Sequence, residues 1–285
     1  MAGKEEEGKG KEAGMNLRGK SVIVTGASSG IGRAAAREFA RAGSNVVLAS
    51  RNGEALERLA ADLAPLPGRR IVVPTDVRDR EAVKAMVQRA VEEFGGVDVL
   101  VNNAGLGLNA PIAEGSLENM RYVLEVNLFG AIHAIQAVAP HMKKQGGGAI
   151  VNVSSVAGRI STPYNGIYSG TKAALNSLTD ALRLELEEYG IAVIAVYPGY
   201  TRTAFHTTSI REVELPEPSR LVQGATGAAV GRKIVAALRE GKRETFVTLA
   251  DAAAVTVKSF APRLVDWGIR RLWLRSRRPA PVERP

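Results

Sequence analysis

Short continuous runs of apolar residues recur along the chain and alternate with stretches in which apolar positions repeat every three or four residues. Six runs rich in valine, isoleucine or leucine lie at 21–25, 45–49, 70–73, 97–101, 149–153 and 192–197. Runs without regular polar alternation are typical of strands buried on both faces of a parallel sheet. A weaker run at 245–249 predicts a seventh strand.

The stretches between these runs have the period of amphipathic helices. The pattern predicts helices that end near residues 42 and 63, and further helices at 80–94, 116–128, 130–144 and 166–189. Strands and helices that alternate in this way join through right-handed crossovers into a doubly wound sheet. The sequence therefore predicts one α/β domain with about seven parallel strands and helices on both faces.

Three segments depart from this alternation and divide the chain. Residues 1–16 are charged and predict a disordered leader, without the apolar core of a secretory signal, ahead of a domain at 17–250. Residues 200–226, rich in Thr, Pro, Glu and Gly, predict a lid above the sheet. Residues 251–285 predict a basic amphipathic extension.

The composition is that of a globular protein and excludes several kinds of chemistry. The 285 residues are 45% hydrophobic and include no cysteine, which rules out disulfides, thiolate zinc sites and cysteine nucleophiles and fits a cytoplasmic location. The three histidines, His133, His141 and His206, lack metal-ligand spacing, so no metal site is expected. No apolar run reaches the roughly 18 residues of a membrane span.

The net charge of +9 is concentrated at the C-terminus, where residues 262–285 contain seven arginines and two acidic residues. On a helix, one apolar stripe would comprise Leu264, Val265, Gly268, Ile269, Leu272 and Trp273. This pattern predicts either an interfacial helix on an anionic membrane or a helix packed on its own fold or on a second subunit. A nucleic-acid partner is not expected, because no recognised binding fold accompanies the charge.

Tyr168 and Lys172 are the first candidates for chemistry, because residues four apart lie on the same face of a helix. An ammonium group beside the phenol predicts that the pKa of Tyr168 falls below its usual value of about 10. The tyrosine would then donate or accept a proton near neutral pH. The alternative is a half-buried packing tyrosine with no catalytic role.

A glycine-rich turn, TGASSGIG at 25–32, joins the first predicted strand to the first helix. Small residues allow close approach of a phosphate, and the helix N-terminus offers free N–H groups and the positive end of its dipole. Predicted contacts to a dinucleotide are Gly26, Ser28, Ser29, Gly30, Ile31 and Gly32. The alternative is a tight turn that binds no ligand.

The end of the second strand distinguishes the two nicotinamide cofactors. A carboxylate there binds a ribose 2′-hydroxyl, whereas a basic residue accommodates a 2′-phosphate. The strand ends with Ser50 and Arg51 and has no acid at its tip, which favours NADP(H) over NAD(H). The alternative is a solvated surface arginine.

These motifs together resemble the short-chain dehydrogenase/reductase family. The resemblance runs from about Leu17 to Thr248 and rests on the motifs TGASSGIG, Asn102-Asn103-Ala104-Gly105, Asn127, Ser155, Tyr168-x-x-x-Lys172 and Pro198-Gly199. It implies a Rossmann-type fold and an oxidoreductase that transfers a hydride between NADP(H) and a carbonyl or secondary alcohol.

The resemblance also implies a role for each matching residue. Tyr168 would act as general acid or base, Lys172 would hold the nicotinamide ribose, and Ser155 would hydrogen-bond the carbonyl oxygen. Asn127 would anchor a water that connects Lys172 to solvent. The remaining implied cofactor contacts are Asp76 and Val77 at the adenine, Asn103, Ala104 and Gly105 in the cleft, and Pro198, Gly199, Thr201 and Thr203 over the carboxamide.

The rival hypothesis is a non-catalytic regulator or scaffold that keeps the cofactor cleft. The presence of Ser155, Tyr168 and Lys172 together argues against it. Tyr164 and Phe205 indicate an apolar pocket for a small-molecule carbonyl or alcohol, such as a lipid, steroid or aromatic ketone. The resemblance implies a homodimer or homotetramer, and the basic helix adds the hypothesis of peripheral membrane contact.

Overall fold

The computed structural model describes residues 14–213 and 224–275. Its eleven strands are β1 (Ser21–Thr25), β2 (Asn45–Ser50), β3 (Arg70–Pro74), β4 (Val99–Asn102), β5 (Leu108–Asn109), β6 (Gly148–Val153), β7 (Ile191–Tyr197), β8 (Thr201–Arg202), β9 (Ile210–Arg211), β10 (Ala225–Thr226) and β11 (Glu244–Phe246). Seven of them form one sheet in the order β11-β7-β6-β4-β1-β2-β3, and every pairing in it is parallel.

Helices follow the strands as the sequence predicts. They are α1 (Gly30–Arg41), α2 (Gly53–Leu63), α3 (Arg80–Phe94), α4 (Leu117–Leu124), α5 (Gly130–Lys144), α6 (Gly166–Glu187), α7 (Phe205–Thr208), α8 (Gly227–Arg239), α9 (Leu249–Phe260) and α10 (Pro262–Arg275). A π-helical turn, Glu125–Phe129, joins α4 to α5, and a short 3₁₀ helix, Val156–Gly158, follows β6.

Alternate residues of each strand are buried in two hydrophobic cores, one on each face of the sheet. On one face Val22 packs with Phe39 of α1 and Leu238 of α8. On the other face Ile23 packs with Met86 of α3, in the same cluster as side chains of α5. Burial on both faces explains why the strands are apolar throughout, and it confirms the predicted doubly wound Rossmann-type sheet.

The C-terminal part of the fold differs from the sequence prediction. The seventh strand ends at Phe246 rather than residue 249, because Thr248 begins the next helix: its hydroxyl accepts a hydrogen bond from the N–H of Asp251 at 3.0 Å. A complete helix, α9, therefore precedes the predicted basic helix. The main chain also contacts the fold before residue 17, where the domain was predicted to begin, since the N–H of Met15 donates to the carbonyl of Leu238.

Several predicted segments fall partly or wholly outside the described residues. Residues 1–13 of the predicted leader and residues 214–223 of the predicted lid are among them. In the predicted C-terminal stripe, Val265 and Ile269 are half-buried, whereas Leu264 is exposed. The side chains of Leu272 and Trp273 lie outside the described part.

One helical run in the described part, Leu117–Lys144, is long and apolar enough to cross a membrane by length and composition alone. It consists of α4, the π-helical turn and α5. Its residues Val138 and Met142 belong to the hydrophobic core beneath the sheet. Because a core helix passes the same test, this run carries no argument for a membrane span.

Candidate active site

Four loops meet at the carboxyl edge of the sheet, where the strand order reverses. They follow β1, β4, β6 and β7, and β1 pairs in parallel with both β2 and β4. Loops on either side of such a switch point diverge and leave a crevice in which nucleotides bind. The predicted cofactor and catalytic residues lie on these loops, at the tips of β2 and β3, and on the helices behind them.

The glycine-rich turn needs glycine at the positions that the motif supplies. Gly26 and Gly30 have φ values of +66° and +53°, a region that side chains with a Cβ rarely adopt. A Cβ on Gly32 would overlap the carbonyl oxygen of Gly26 and the side-chain amide of Asn103. The turn therefore leaves a backbone surface that a bulky group can approach closely.

The N-terminus of α1 is open toward this surface. In the described part of the chain no side chain caps it, and its first turn contains no acidic residue. Ser29 is exposed at the cap position, while Ser28 and Ile31 are half-buried. Free N–H groups at the positive end of a helix dipole suit a pyrophosphate, so the turn fits the dinucleotide predicted for it.

Thr25 and Asn103 join the glycine turn to the loop after β4. The hydroxyl of Thr25 accepts hydrogen bonds from the N–H groups of Asn103 at 3.0 Å and Ala104 at 3.1 Å. The side-chain amide of Asn103 donates to the carbonyl of Thr25 at 2.9 Å. Asn103 and Ala104 thus shape one wall of the cleft. Sequence reasoning missed Thr25, although it opens the quoted motif.

Four side chains cluster at the tips of β2 and β3. Arg51 donates to the hydroxyl of Tyr122 at 2.8 Å, and the Arg78 guanidinium lies 4.6 Å from the centre of the same ring. Ser50 has a buried hydroxyl without a partner among the described residues. An unpartnered buried hydroxyl on the residue before Arg51 is consistent with the predicted contact with a ribose phosphate. Sequence reasoning missed Tyr122 and Arg78.

The predicted adenine pair is held in place by neighbouring side chains. Arg78 donates to both carboxylate oxygens of Asp76, and this contact holds the pKa of Asp76 below its usual value. The carbonyl of Val77 lies 3.0 Å from Nδ1 of His133. This histidine therefore has a structural partner on the loop after β3.

Tyr168 and Ser155 meet at the catalytic end of the cleft. The Ser155 hydroxyl lies close enough to the Tyr168 hydroxyl to lower the pKa of the tyrosine. Ser155 also donates to the carbonyl of Pro198 at 3.3 Å and accepts from the N–H of Ala157 at 3.1 Å, which places it at the start of the 3₁₀ turn. The predicted serine-tyrosine pair is therefore assembled from β6 and α6.

Lys172 follows Tyr168 by one helical turn and is 5% exposed. Its ammonium donates to the carbonyl of Val153 at 2.9 Å and lies 6.0 Å from the centre of the Tyr168 ring. A Cβ on Gly105 would lie 3.7 Å from the same nitrogen. The lysine therefore reaches the floor of the cleft beside the loop after β4.

The predicted lowering of the Tyr168 pKa is wrong for this structure. Burial raises the pKa of Tyr168 to about 12, and the nearby Ser155 hydroxyl only partly opposes this effect. The residue as a whole is partly exposed, but its hydroxyl is enclosed by protein. Burial also lowers the pKa of Lys172 to about 8. Desolvation, which residue spacing cannot reveal, outweighs the attraction between the two groups.

Asn127 lies in the π-helical turn and is buried. Its side-chain oxygen accepts from the N–H of Leu106 at 2.7 Å, and its amide nitrogen donates to the carbonyl of Leu106 at 2.9 Å and to the hydroxyl of Thr171 at 3.1 Å. Asn127 thus joins the loop after β4 to α6 next to Lys172. Insertions of this kind in helices recur at functional sites.

A chain of buried polar side chains fixes β4, β6 and α6 relative to one another. Asn102 donates to Asn152 at 3.0 Å, and Asn152 donates to Thr179 at 2.9 Å. Ser154 bonds to Asn176, one turn before Thr179 in α6. These residues keep Ser155 and Tyr168 in register. Asn102 was noted only as part of the motif after the fourth strand, and the bonds of the others were not predicted because each lies in a segment typical of an ordinary strand or helix.

The described part of the lid lies over the cleft. Thr201 donates to the carbonyl of Gly199 at 3.0 Å, and Thr203 would lie 3.4 Å from a Cβ on Gly30. Phe205 packs on Tyr168, with ring centres 5.6 Å apart. This segment thus brings Thr203 to the glycine turn and an aromatic ring to Tyr168, while Thr201 stays beside the loop after β7.

Tyr164 and Glu212 define the outer rim of this region. Tyr164 has a φ of +62°, and its carbonyl accepts from the N–H of Ala110 at 2.8 Å. The Glu212 carboxylate accepts from the N–H of Ser116 at 3.0 Å and from the side chain of Asn119 at 2.7 Å. This carboxylate attaches the lid to the start of α4, where the helix dipole favours a negative charge.

Comparison with known protein families and curated sequences identifies relatives of this chain. The family model for short chain dehydrogenases matches residues 20–214. Dehydrogenase/reductase SDR family member 7B from Bos taurus is 35% identical over 262 residues, covering 87% of this chain and 79% of that protein. The ketoacyl reductase HetN from Nostoc sp. is 35% identical over 231 residues, covering 81% and 79% of the two chains.

Solved structures show the same fold over most of the chain. A short chain dehydrogenase/reductase from Burkholderia phymatum in complex with NAD has a TM-score of 0.79 and 29% identity, covering 95% of this chain and all of that one. An alcohol dehydrogenase from Thermococcus sibiricus complexed with 5-hydroxy-NADP has a TM-score of 0.70 and 28% identity, covering 80% and 95%. The chain therefore belongs to the short-chain dehydrogenase/reductase family of oxidoreductases.

Proposed function

We propose that the protein is an NADP(H)-dependent oxidoreductase that interconverts a carbonyl and a secondary alcohol. The observation that carries this proposal is that the hydroxyls of Tyr168 and Ser155 lie next to each other at the cleft, with Lys172 one helical turn from the tyrosine. A regulator or scaffold of the same fold would need the cleft but not this pair of hydroxyls.

In the reducing direction, the nicotinamide supplies a hydride to the carbonyl carbon when it is bound. Ser155 donates a hydrogen bond to the carbonyl oxygen and stabilises the charge that develops there. Tyr168 transfers its hydroxyl proton to that oxygen and becomes a phenolate. A pKa of about 12 keeps Tyr168 protonated at neutral pH, as a general acid requires. In the oxidising direction the same proton moves back to Tyr168.

Lys172 would support this step by its charge and by its position. As an ammonium ion it stabilises the phenolate left on Tyr168. By family resemblance it also binds the nicotinamide ribose hydroxyls. Asn127 holds the neighbouring backbone and is the residue that would anchor a water on the path from Lys172 to solvent.

The choice of NADP(H) rests on the tip of β2. Arg51 and Arg78 both contact Tyr122 there, and Ser50, the residue before Arg51, has a buried hydroxyl without a partner among the described residues. Two guanidinium groups and a hydroxyl can bind the 2′-phosphate of NADP(H) through charged hydrogen bonds. The 2′-hydroxyl of NAD(H) carries no charge and cannot make the same bonds. The two solved relatives are complexed with NAD and with 5-hydroxy-NADP, so they do not decide between the cofactors.

The proposed substrate is an apolar carbonyl or alcohol. Phe205 packs on Tyr168 and places an aromatic surface next to the reacting hydroxyl. A ketoacyl chain, the substrate class named for the relative HetN, belongs to this class. We further propose a cytoplasmic homo-oligomer, and a peripheral membrane contact that is argued separately below.

A fluorescence titration with NADPH and NADH tests the cofactor assignment. We expect tighter binding of NADPH, and we expect Arg51→Ala to weaken NADPH about tenfold or more while NADH changes little, because a charged hydrogen bond is lost. Arg58→Ala, an exposed arginine on α2, is the matched control. Preference for NADH would contradict the assignment but leave the family unchanged, and binding of neither would favour the scaffold.

Replacement of Tyr168 tests catalysis separately from binding. We expect Tyr168→Phe to reduce NADPH-dependent turnover of apolar ketones by about 10²–10⁴-fold, because the proton donor is lost. The affinity for NADPH should stay close to that of the unmodified protein. Tyr189→Phe, two residues after the end of α6, is the matched control. Equal turnover in Tyr168→Phe would refute the proposed mechanism.

A further inference from the structure

The two C-terminal helices, α9 and α10, form a hairpin that packs little on the rest of the fold. No residue of α9 is buried, and neither is any described side chain of α10. The helices are joined at Ala261, whose N–H donates to the carbonyl of Val257 at 2.7 Å, and Lys258 pairs with Asp266 across the bend. The hairpin is thus a defined element, held mainly by its own contacts.

The hairpin exposes large apolar side chains. The exposed fraction is 91% for Leu249, 87% for Phe260, 58% for Leu264, 58% for Trp267 and 40% for Val257. Leu249, Val257 and Phe260 recur at helical spacing on α9, and Leu264 and Trp267 are three apart on α10. Five large apolar side chains exposed on two joined helices indicate an interaction site.

The charges around this surface are mostly positive. The segment 258–271 contains Lys258, Arg263, Arg270 and Arg271 against one acid, Asp266, which already pairs with Lys258. The Arg271 guanidinium lies 5.4 Å from the ring centre of Trp267. Arginines beside exposed tryptophan and leucine are the chemistry of an interfacial helix on anionic lipid.

A second copy of the chain fits this surface less well. In a two-fold interface the same patch faces itself, so the arginines around the apolar side chains would be brought together. Like charges placed opposite one another oppose association. An anionic lipid surface instead offers phosphates to the arginines and acyl chains to the apolar groups.

We propose that the α9–α10 hairpin docks the protein on an anionic membrane surface. Phe260, Leu264 and Trp267 enter the boundary between headgroups and acyl chains, and Arg263 and Arg270 contact lipid phosphates. This inference uses only the hairpin and does not depend on the redox activity.

The hairpin begins beside the candidate active site. The carboxylate of Asp251, in the first turn of α9, lies where a Cβ on Gly199 would be, so α9 borders the loop after β7. Docking would bring the cleft close to the lipid, from which an apolar substrate could enter. This last step rests on the proposed function, whereas the docking does not.

Tryptophan fluorescence reports directly on the hairpin, because both tryptophans of the chain, Trp267 and Trp273, lie in α10. The full-length protein is mixed with vesicles of phosphatidylcholine alone or with about one third phosphatidylserine. We expect a blue shift and co-sedimentation with the anionic vesicles only, weakened by high salt. Absence of both signals, or equal binding to neutral vesicles, would overturn the proposal.

Two variants and a matched control identify the surface. We expect Arg263→Gln/Arg270→Gln/Arg271→Gln to weaken binding to anionic vesicles by about tenfold or more, and Leu264→Glu to do the same. The control Arg58→Gln/Lys84→Gln/Arg89→Gln removes the same number of charges from α2 and α3 and should bind as the unmodified protein does. Equal loss in the control would refute a role for the hairpin.

Further measurements distinguish a loss of membrane docking from misfolding and from a loss of self-association. Each variant should retain its thermal unfolding midpoint and its NADPH affinity, and a Leu264→Glu that fails to fold is replaced by the arginine variant. Sedimentation velocity without lipid should give the same mass for Leu264→Glu as for the unmodified protein. A lower mass would assign the surface to a second copy and overturn the membrane proposal.

Discussion

Burial affects Tyr168 and Lys172 in opposite directions with respect to their usual pKa values. It favours the neutral form of each group, so the tyrosine keeps its proton and the lysine loses its proton more easily. The spacing of the two residues correctly places them on one face of α6, but it contains no information on how deeply the hydroxyl and the ammonium are enclosed. The proton donor is therefore predictable from sequence, while its pKa is not.

The pH dependence of carbonyl reduction follows from these two shifts. As pH rises through about 8, Lys172 loses its charge, whereas Tyr168 stays protonated up to about 12. We therefore expect kcat/KM for reduction to be constant below neutral pH and to fall about tenfold per pH unit above 8, because the ammonium supports the phenolate.

A pH-rate profile of Lys172→Arg provides the control for this prediction. Arginine keeps its charge throughout this range. Its absolute activity should be lower, since the guanidinium is larger, but the fall above pH 8 should disappear. A flat profile for the unmodified protein from pH 7 to 10 would show that the charge of Lys172 is not needed.

At the scale of elements, most predicted strands and helices agree with the structure to within two residues, and the fourth strand, predicted at 97–101, is observed at Val99–Asn102. The strand predicted at 45–49 is observed at Asn45–Ser50, and the helix predicted at 80–94 is observed at Arg80–Phe94. Continuous apolar runs define both because each packs on the core. The strand predicted at 245–249 extends too far. Val247 is buried like a strand residue, although the strand has already ended.

The elements that position the site were harder to predict. The π-helical turn around Asn127 lies within a segment whose period is that of an ordinary helix. Arg78 and Tyr122 come together only because the ends of β3 and α4 meet in space. Contacts between distant segments depend on the packing of the whole sheet. A single sequence shows the residues of such a contact but not that they meet in space.

At the scale of the whole molecule, exposed apolar side chains in the described part of the chain include two separate groups that bear on assembly. One is the α9–α10 hairpin, and the other lies on the helices after β4 and β6. On that second surface Phe129 is 44% exposed and Leu184 is 68% exposed. The family resemblance places subunit contacts on these helices, so this surface is the candidate for the proposed homo-oligomer.

Sedimentation velocity of surface variants separates the two roles. We expect the unmodified protein to have the mass of a dimer or tetramer and Leu184→Glu to shift it toward the monomer, because a buried, unpaired carboxylate opposes association. Leu264→Glu, the same change on the hairpin, should leave the mass unaltered and reduce only membrane binding. A monomeric unmodified protein would contradict the oligomer. A fall in mass for both variants would mean that the hairpin also joins subunits.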